Sequence, residues 1–415
     1  MSDTDLAAIA AKSETSFMKI LTFTSLFPNA TRRELGVFIY QRVAHVARLE
    51  GSAVQVVAPV PFLPGWFRAR RWQIYRHIPS EEQVGSINVS HPRYPLLPGL
   101  LMPLHGLLMF LGSVIPARRL QRHFDFACID AHYVYPDGFA AVLLGKTLKL
   151  PVIVSARGTD INVFPSFRLI RPMIRWTLRH ATGLIAVSNA LKERMTLLGI
   201  PPDKIRVIPN GVDVKRFFPV DRQEARRQLG LSRDNPTIVC VASLTPVKRH
   251  DMLIQALSEV AKKNPKMRAY IVGEGPLHSR LQALIEAQRM NHQVFLVGGK
   301  PNAELHLWFS AADVSCLVSS REGWPNVVME SIACGTPVVA TRVGGVPEIL
   351  VSSELGILVD EDGRSLAAGI CAALQRTWDR QELVRRAESR TWETVAAEVV
   401  EYFRNLLQPR PEPKS

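Results

Sequence analysis

Negative charge is scarce in the first half of this chain. Residues 1–207 carry 25 Lys and Arg against 13 Asp and Glu, whereas residues 208–415 carry 26 against 24, so nearly all of the net +14 sits in the N-terminal half. Such an imbalance points to an anionic partner for that half: nucleic acid, a lipid surface or a phosphorylated substrate. Cysteine is also rare: Cys128, Cys240, Cys316, Cys334 and Cys371 are odd in number, scattered and never spaced Cys-x-x-Cys. This argues against a disulfide or zinc framework and suits buried thiols in a reducing compartment. The first fifteen residues set Asp3, Asp5 and Glu14 against Lys12 and lack both the basic start and the apolar run of a signal peptide, so 1–17 is read as a loose leader. The basic half shows no RNA- or DNA-binding motif, and no nucleic acid is expected as a partner.

What is present is a rhythm. Short apolar runs (Lys19–Phe23, Val54–Ala58, Phe126–Asp130, Val152–Ser155, Leu184–Val187) alternate with helical spacing such as Val37–Leu49 and Gly138–Thr147. After Asn210-Gly211 the alternation restarts with Thr237–Ala242, Ala269–Val272, Val294–Val297, Val314–Val318 and Val338–Thr341, separated by helical stretches such as Met252–Lys262 and Leu277–Gln288. Strands separated by helices imply parallel sheets covered on both faces. The fold class expected is therefore α/β, two doubly wound Rossmann-like domains facing across a cleft, 18–207 and 208–390, with ligands at the carboxyl ends of the strands. The run from Thr391 to Leu407 has helical spacing, and 408–415 is read as a flexible tail.

One segment breaks the rhythm. Pro95–Pro116 has no charged residue and is followed by Arg118, Arg119 and Arg122. It reaches the length of a membrane span, but Pro98, Gly99, Pro103, His105, Gly106 and Gly112 oppose a regular helix, so a buried or interfacial element is expected. Just before it, Trp66-Phe67-Arg68-Ala69-Arg70-Arg71-Trp72 reads either as a solvated basic loop or as a headgroup anchor.

The chemistry concentrates after strand ends. Ser319, Ser320 and Arg321 turn the chain from Val314–Val318 into Glu322-Gly323-Trp324-Pro325-Asn326-Val327-Val328-Met329-Glu330. Pro325 suits the first turn of a helix and Gly335 its end. Amides from Gly323, Trp324, Asn326 and Val327 would then point out of a helix start, where a pyrophosphate is favoured. Glu322 and Glu330 could each accept hydrogen bonds from vicinal sugar hydroxyls. Lys248 follows the strand Thr237–Cys240 and offers a point charge to a diphosphate. Gly273-Glu274-Gly275 and Gly344-Gly345 stand at further strand ends, where glycine serves close ligand approach or an ordinary turn.

With these residues in view, the chain resembles family 4 retaining glycosyltransferases of the group 1 type, which have the GT-B fold. The resemblance runs from Met18 to about Leu407 and rests on Glu322 and Glu330, Lys248, Asn210–Asp213 and Val343–Glu348. It implies a nucleotide-sugar donor whose ribose is held by Glu330, with its sugar and diphosphate held by Glu322 and the amides that follow. It further implies that Lys248 neutralises the leaving phosphate, that Gly36 lets backbone approach it, and that neither metal nor cofactor is required. The C-terminal helix would cross back onto the N-terminal domain. Two departures stand out. Ser243 occupies a position where many members have arginine, leaving neutralisation to Lys248 and Arg249. Arg157-Gly158-Thr159-Asp160 replaces His-Gly-Ser-Asp, so Arg157, with Asp160 and His132, becomes the acceptor-side candidate.

These readings imply a cytoplasmic transferase, peripheral on the inner membrane face through its basic half, acting on a lipid-linked or polysaccharide acceptor. The alternatives are a soluble transferase that clamps a small phosphorylated acceptor through Arg157, and a non-catalytic sugar-nucleotide-binding protein.

Overall fold

The computed structural model describes residues 17–62, 74–96 and 102–408. The leader before Phe17, the run Trp66–Trp72, Pro98, Gly99 and the tail after Gln408 lie outside the described residues. The chain forms two compact units, the first comprising residues up to Ala186, Arg194–Ile208 and Ala396 onward, the second Val187–Glu193 and Pro209–Val395.

The first unit contributes β1 (Met18–Phe23), α1 (Val37–Arg48), β2 (Ser52–Val57), β3 (Val60–Phe62), β4 (Glu81–Val84), β5 (Ile87–Ser90) and β6 (Arg93–Pro95). There follow α2 (His105–Phe124), β7 (Cys128–His132), α3 (Phe139–Leu148), β8 (Val152–Ala156), α4 (Arg171–His180), β9 (Gly183–Ala186), the end of α5 (Asn189–Leu197), whose residues up to Glu193 belong to the second unit, and β10 (Ile205–Val207). Eight strands make one sheet in the order β10-β9-β8-β7-β1-β2-β5-β4, parallel except for the β4–β5 hairpin, and β3 pairs β6 separately. The central strands are apolar on both faces because helices cover both. The hairpin escapes the apolar-run reading because Glu81-Glu82-Gln83-Val84 is polar, and its turn is signalled only by Gly85 at φ 60°.

The second unit contains α6 (Arg222–Leu229), β11 (Thr237–Val241), α7 (His250–Lys263), β12 (Arg268–Val272), α8 (His278–Ala287), β13 (Val294–Gly298) and α9 (Leu305–Ala311). It continues with β14 (Val314–Leu317), α10 (Asn326–Ala333), β15 (Val338–Thr341), β16 (Gly356–Val359), α11 (Gly363–Gln375), α12 (Arg380–Glu388) and the start of α13 (Trp392–Leu407). Its sheet is wholly parallel, in the order β13-β12-β11-β14-β15-β16, with an apolar core on each face. This doubly wound order reverses direction between β11 and β14, the place where such sheets bind ligands.

From Ala396 onward α13 belongs to the first unit, where the Tyr402 hydroxyl accepts from the Leu184 amide at 3.2 Å and Leu406 lies against Gly183. The linker Asn210–Asp213 runs beside the return of the chain. Val212 bridges Thr391, and a Cβ on Gly211 would stand 2.5 Å from the Thr391 carbonyl.

The Pro95–Pro116 segment differs from expectation. A regular twenty-residue helix, α2, runs through Gly106, Gly112 and Pro116. The two glycines are there for proximity. A Cβ at Gly106 would meet the Phe139 ring at 2.7 Å, and one at Gly112 would meet the Arg93 carbonyl oxygen at 2.5 Å. Packing against α3 and β6 thus repays the low helix propensity of glycine. Among the described residues no helix is long and apolar enough to cross a membrane.

Gly112→Ala tests this packing. In an ordinary helix the change gains about 1 kcal/mol. Here the clash with β6 is expected to reverse the sign, costing about 1–3 kcal/mol and lowering the thermal midpoint. A raised midpoint would show that β6 can retreat.

Candidate active site

In the second unit, two loops leave the sheet on either side of its switch point. After β11 the chain enters a 3₁₀ turn, Pro246–Lys248, and Arg249 takes a left-handed φ of 46° before α7 begins. After β14 it passes Ser319 and Ser320 to Pro325, which caps the start of α10 without a side-chain hydrogen bond. The loops are tied together. The Ser320 amide donates to the Val247 carbonyl at 2.9 Å, and the Thr341 hydroxyl donates to the Ser319 carbonyl at 2.6 Å. Across this tie Lys248 Nζ donates to Glu322 Oε1 at 2.6 Å, with both side chains largely covered.

The strand-end glycines also bring the loops close to one another, with Gly344 in a turn at φ 50°. A Cβ at Gly344 would lie 2.0 Å from the Glu322 carbonyl oxygen and one at Gly345 would lie 2.6 Å from that of Gly323. At Gly273 and Gly275 it would meet the backbone of Ala242 and Leu244. Each loop therefore packs on the backbone of its neighbour, and this fixes where Glu322 and Lys248 stand.

Glu330 lies one turn past Asn326, near the start of α10. Burial pushes its carboxyl up to about 7, with Arg216 pulling the other way. Arg216 is 3.9 Å from Asp213, the last residue of the linker motif, while Asn210 Nδ2 donates to Asn326 Oδ1 at 3.0 Å. The indole Nε1 of Trp324 has no hydrogen-bond partner among the described residues. Ser243 is exposed, its hydroxyl 3.4 Å from that of Thr245, and Arg249 faces Asp251 at 3.5 Å.

The first unit holds a buried chain of polar groups at the carboxyl ends of β7 and β8. Arg42 on α1 donates to Asp130 Oδ1 and to Ser155 Oγ, both at 2.9 Å. Asp130 Oδ2 lies 3.1 Å from His132 Nε2, and His132 Nδ1 meets Arg157 Nη2. Burial pulls His132 down to about 3, so the ring is neutral; Nε2–H then donates to Asp130 and Nδ1 accepts from Arg157. Burial alone would raise Asp130, but Arg42 and then His132 outweigh it and hold the carboxyl well below the usual range. Burial, then Arg42, brings Arg157 down to about 9, still cationic at neutral pH, with its guanidinium over the Phe38 ring.

Asp160 shapes this loop, accepting from the amides of Val134, Arg157 and Gly158, although burial outweighs these bonds and raises its pKa. Asp137 does the same for the loop after β1 by accepting from the Ser25 amide, and burial raises it to about 7. Gly36, at φ 64° before α1, sits against the Leu26 carbonyl.

The chain matches the family Glycosyltransferase Family 4 over residues 75–216 and the family Glycosyl transferases group 1 over residues 221–390. It is 30% identical over 359 residues to TuaC of Bacillus subtilis (strain 168), a glycosyltransferase named for teichuronic acid biosynthesis, covering 85% of this chain and 88% of that one. The chain is a group 1 glycosyltransferase of the family 4 type. The transferase is also 31% identical over 326 residues to a D-inositol 3-phosphate glycosyltransferase of Kribbella flavida, covering 73% of this chain and 76% of that one. A solved structure of HepE from Anabaena, in complex with UDP and glucose, superposes with a TM-score of 0.69 at 21% identity, over 94% of this chain and all of that one. This likeness shows that the fold is GT-B.

Sequence reasoning missed Arg42, Asp137 and Arg216. Of these, only Arg216 had a signal, the Asp213 that ends the linker motif. An Asp-x-Asp, a spacing that can hold a metal, follows a strand of the transferase at Asp360-Glu361-Asp362, after β16. Asp362 is occupied as the cap of α11, accepting from the Ser365 amide at 2.8 Å.

The buried chain yields a stability prediction. Asp130→Ala strands the Arg42 guanidinium, so unfolding by urea is expected to become easier by about 3–5 kcal/mol. A loss under about 1 kcal/mol would mean that Arg42 finds another partner.

Proposed function

We propose that the transferase moves a sugar from a nucleotide-sugar to an acceptor hydroxyl, with retention and without a metal, in the synthesis of a cell-surface polysaccharide or glycolipid at the inner face of the cell membrane. The observation that carries this reading is the Lys248–Glu322 pair beside the uncapped start of α10. In transfer the bond from the anomeric carbon to the diphosphate oxygen breaks, and the acceptor oxygen bonds to that carbon. The acceptor proton passes to the departing phosphate. Charge grows on the diphosphate, so the reading places Lys248, helped by Arg249 and the amides of Gly323, Trp324, Asn326 and Val327, where that charge develops. Incoming phosphate takes Lys248 from Glu322, whose carboxylate turns to the sugar hydroxyls, and Glu330 accepts from the ribose. Gly36 leaves room for backbone near the phosphates. The relative named for teichuronic acid biosynthesis supports a biosynthetic role, and the neighbour solved with UDP makes UDP-sugars the first donors to screen.

Thermal shift with UDP-, GDP- and ADP-sugars tests the donor, since a ligand at a hundred times its dissociation constant stabilises by about 2.7 kcal/mol. A raised carboxyl must lose its proton before it can accept two ribose hydrogen bonds. Donor affinity is therefore expected to rise with pH up to about 7, by up to about tenfold per unit, and to level off above it. Glu330→Gln should bind weakly and without that dependence; equal donor shifts at low and high pH in the wild type would remove Glu330 from the ribose.

A second reading has its own observation, the cationic Arg157 held by His132 and Phe38. With a relative named for D-inositol 3-phosphate, it supports a small phosphorylated acceptor clamped by Arg157, with His132 and Asp160 positioning that side chain and its loop. Arg157→Ala is then expected to raise the acceptor KM about tenfold to a hundredfold with a smaller change in kcat, as loss of a charged hydrogen bond does. Unchanged acceptor saturation would rule this out.

A further inference from the structure

We propose that the outward face of α2 docks the transferase onto an anionic lipid surface. The inward face is fully committed. Gly106, Met109, Ser113 and Ala117 are buried, the Tyr135 hydroxyl donates to the carbonyls of Met102 and Pro103, and the Tyr94 hydroxyl lies 2.6 Å from His105 Nε2. These contacts hold the helix rigidly and leave its other side to solvent.

That other side is apolar for half its length. Leu104, Leu107, Leu111 and Ile115 are 44%, 41%, 55% and 58% exposed. Their spacing of three, four and four residues keeps them on one stripe, which at 1.5 Å per residue is about 16 Å long. The same spacing continues to Arg118 and Arg122, with Arg119 beside them, all exposed and without a carboxylate on the helix. With α2 tilted so that its leucine end lies deeper, this stripe puts apolar side chains below the headgroups and the arginines against lipid phosphate. A protein partner would need its own carboxylates at one end and an apolar groove at the other. A bilayer surface offers both layers at the right depth, and the basic excess of residues 1–207 adds attraction of the same sign.

The inference deepens the proposed work at the membrane and rests on that reading only for its purpose. Its test needs neither donor nor acceptor, so failure of transferase activity and failure of docking are separable. The full chain is mixed with sedimentable vesicles of phosphatidylcholine alone or with about one-third phosphatidylglycerol, at about 50 mM and about 0.5 M salt. Wild type is expected to pellet with the anionic vesicles at low salt and to be released substantially at high salt. Arg118→Gln with Arg119→Gln and Arg122→Gln should weaken partitioning on the order of a hundredfold, three cations near an anionic surface each contributing roughly fivefold. Leu111→Asp with Ile115→Asp should abolish it at both salts. All five positions are exposed, so both variants should keep the wild-type thermal midpoint and donor-induced shift. Absence of wild-type binding, equal binding to neutral and anionic vesicles, or wild-type binding by both variants would overturn the proposal. So would self-association that Leu111→Asp with Ile115→Asp removes while vesicle binding stays intact, since the face would then belong to a second copy.

Discussion

At the carboxyl edge of the second sheet, backbone packs directly on backbone, and the placement of Lys248 and Glu322 depends on it. Gly344 rests on Glu322, Gly345 on Gly323, Gly273 on Ala242 and Gly275 on Leu244. No Cβ fits at these glycines, so the loops are spaced by direct backbone van der Waals contact. Precise placement matters because Lys248 and Glu322 come from loops on opposite sides of the switch point, 74 residues apart, and meet at 2.6 Å. A charged pair brought together by long flexible side chains on mobile loops is worth little. Here the loops are locked, and the pair is held by the backbone on both sides.

The first unit solves a similar problem with charge. Arg42, Asp130, His132 and Arg157 alternate donor and acceptor so that each buried group satisfies the next. Burial neutralises the histidine, which lets a single ring accept from one side and donate to the other. Read this way, His132 is a spacer that sets the position of Arg157, and the replacement of the family's usual histidine by Arg157 comes with its own support.

Much of this was legible in the sequence wherever local pattern and tertiary role coincide. Strands such as Val338–Thr341 read correctly because a parallel strand buried on both faces must be apolar throughout. Glu322, Lys248 and Glu330 were visible because loop and helix chemistry at a strand end depends on residues close in sequence. The hairpin at Glu81–Ser90 was not, since an edge strand needs no apolar face. Nor was α2 as a regular helix, because Gly112 is explained only by Arg93 and Tyr94, which come to it through folding. Arg42 was invisible for the same reason, its partners lying 88 and 113 residues away.

The Glu348 carboxylate accepts from the amides of Asn189 and Ala190 and from the Asn189 side chain, between 2.8 and 3.0 Å. It thereby caps α5 and holds Val187–Glu193 in the second unit, although that segment precedes the linker by sixteen residues or more. Modular exchange between transferases is consequently not a matter of cutting at Asn210. A chimera joined there would pair Glu348 with a foreign helix start, and a second domain expressed from Pro209 would carry a carboxylate that has lost all three donors. A segment that carries the second unit whole includes the first turn of a helix that the chain lays down before the linker.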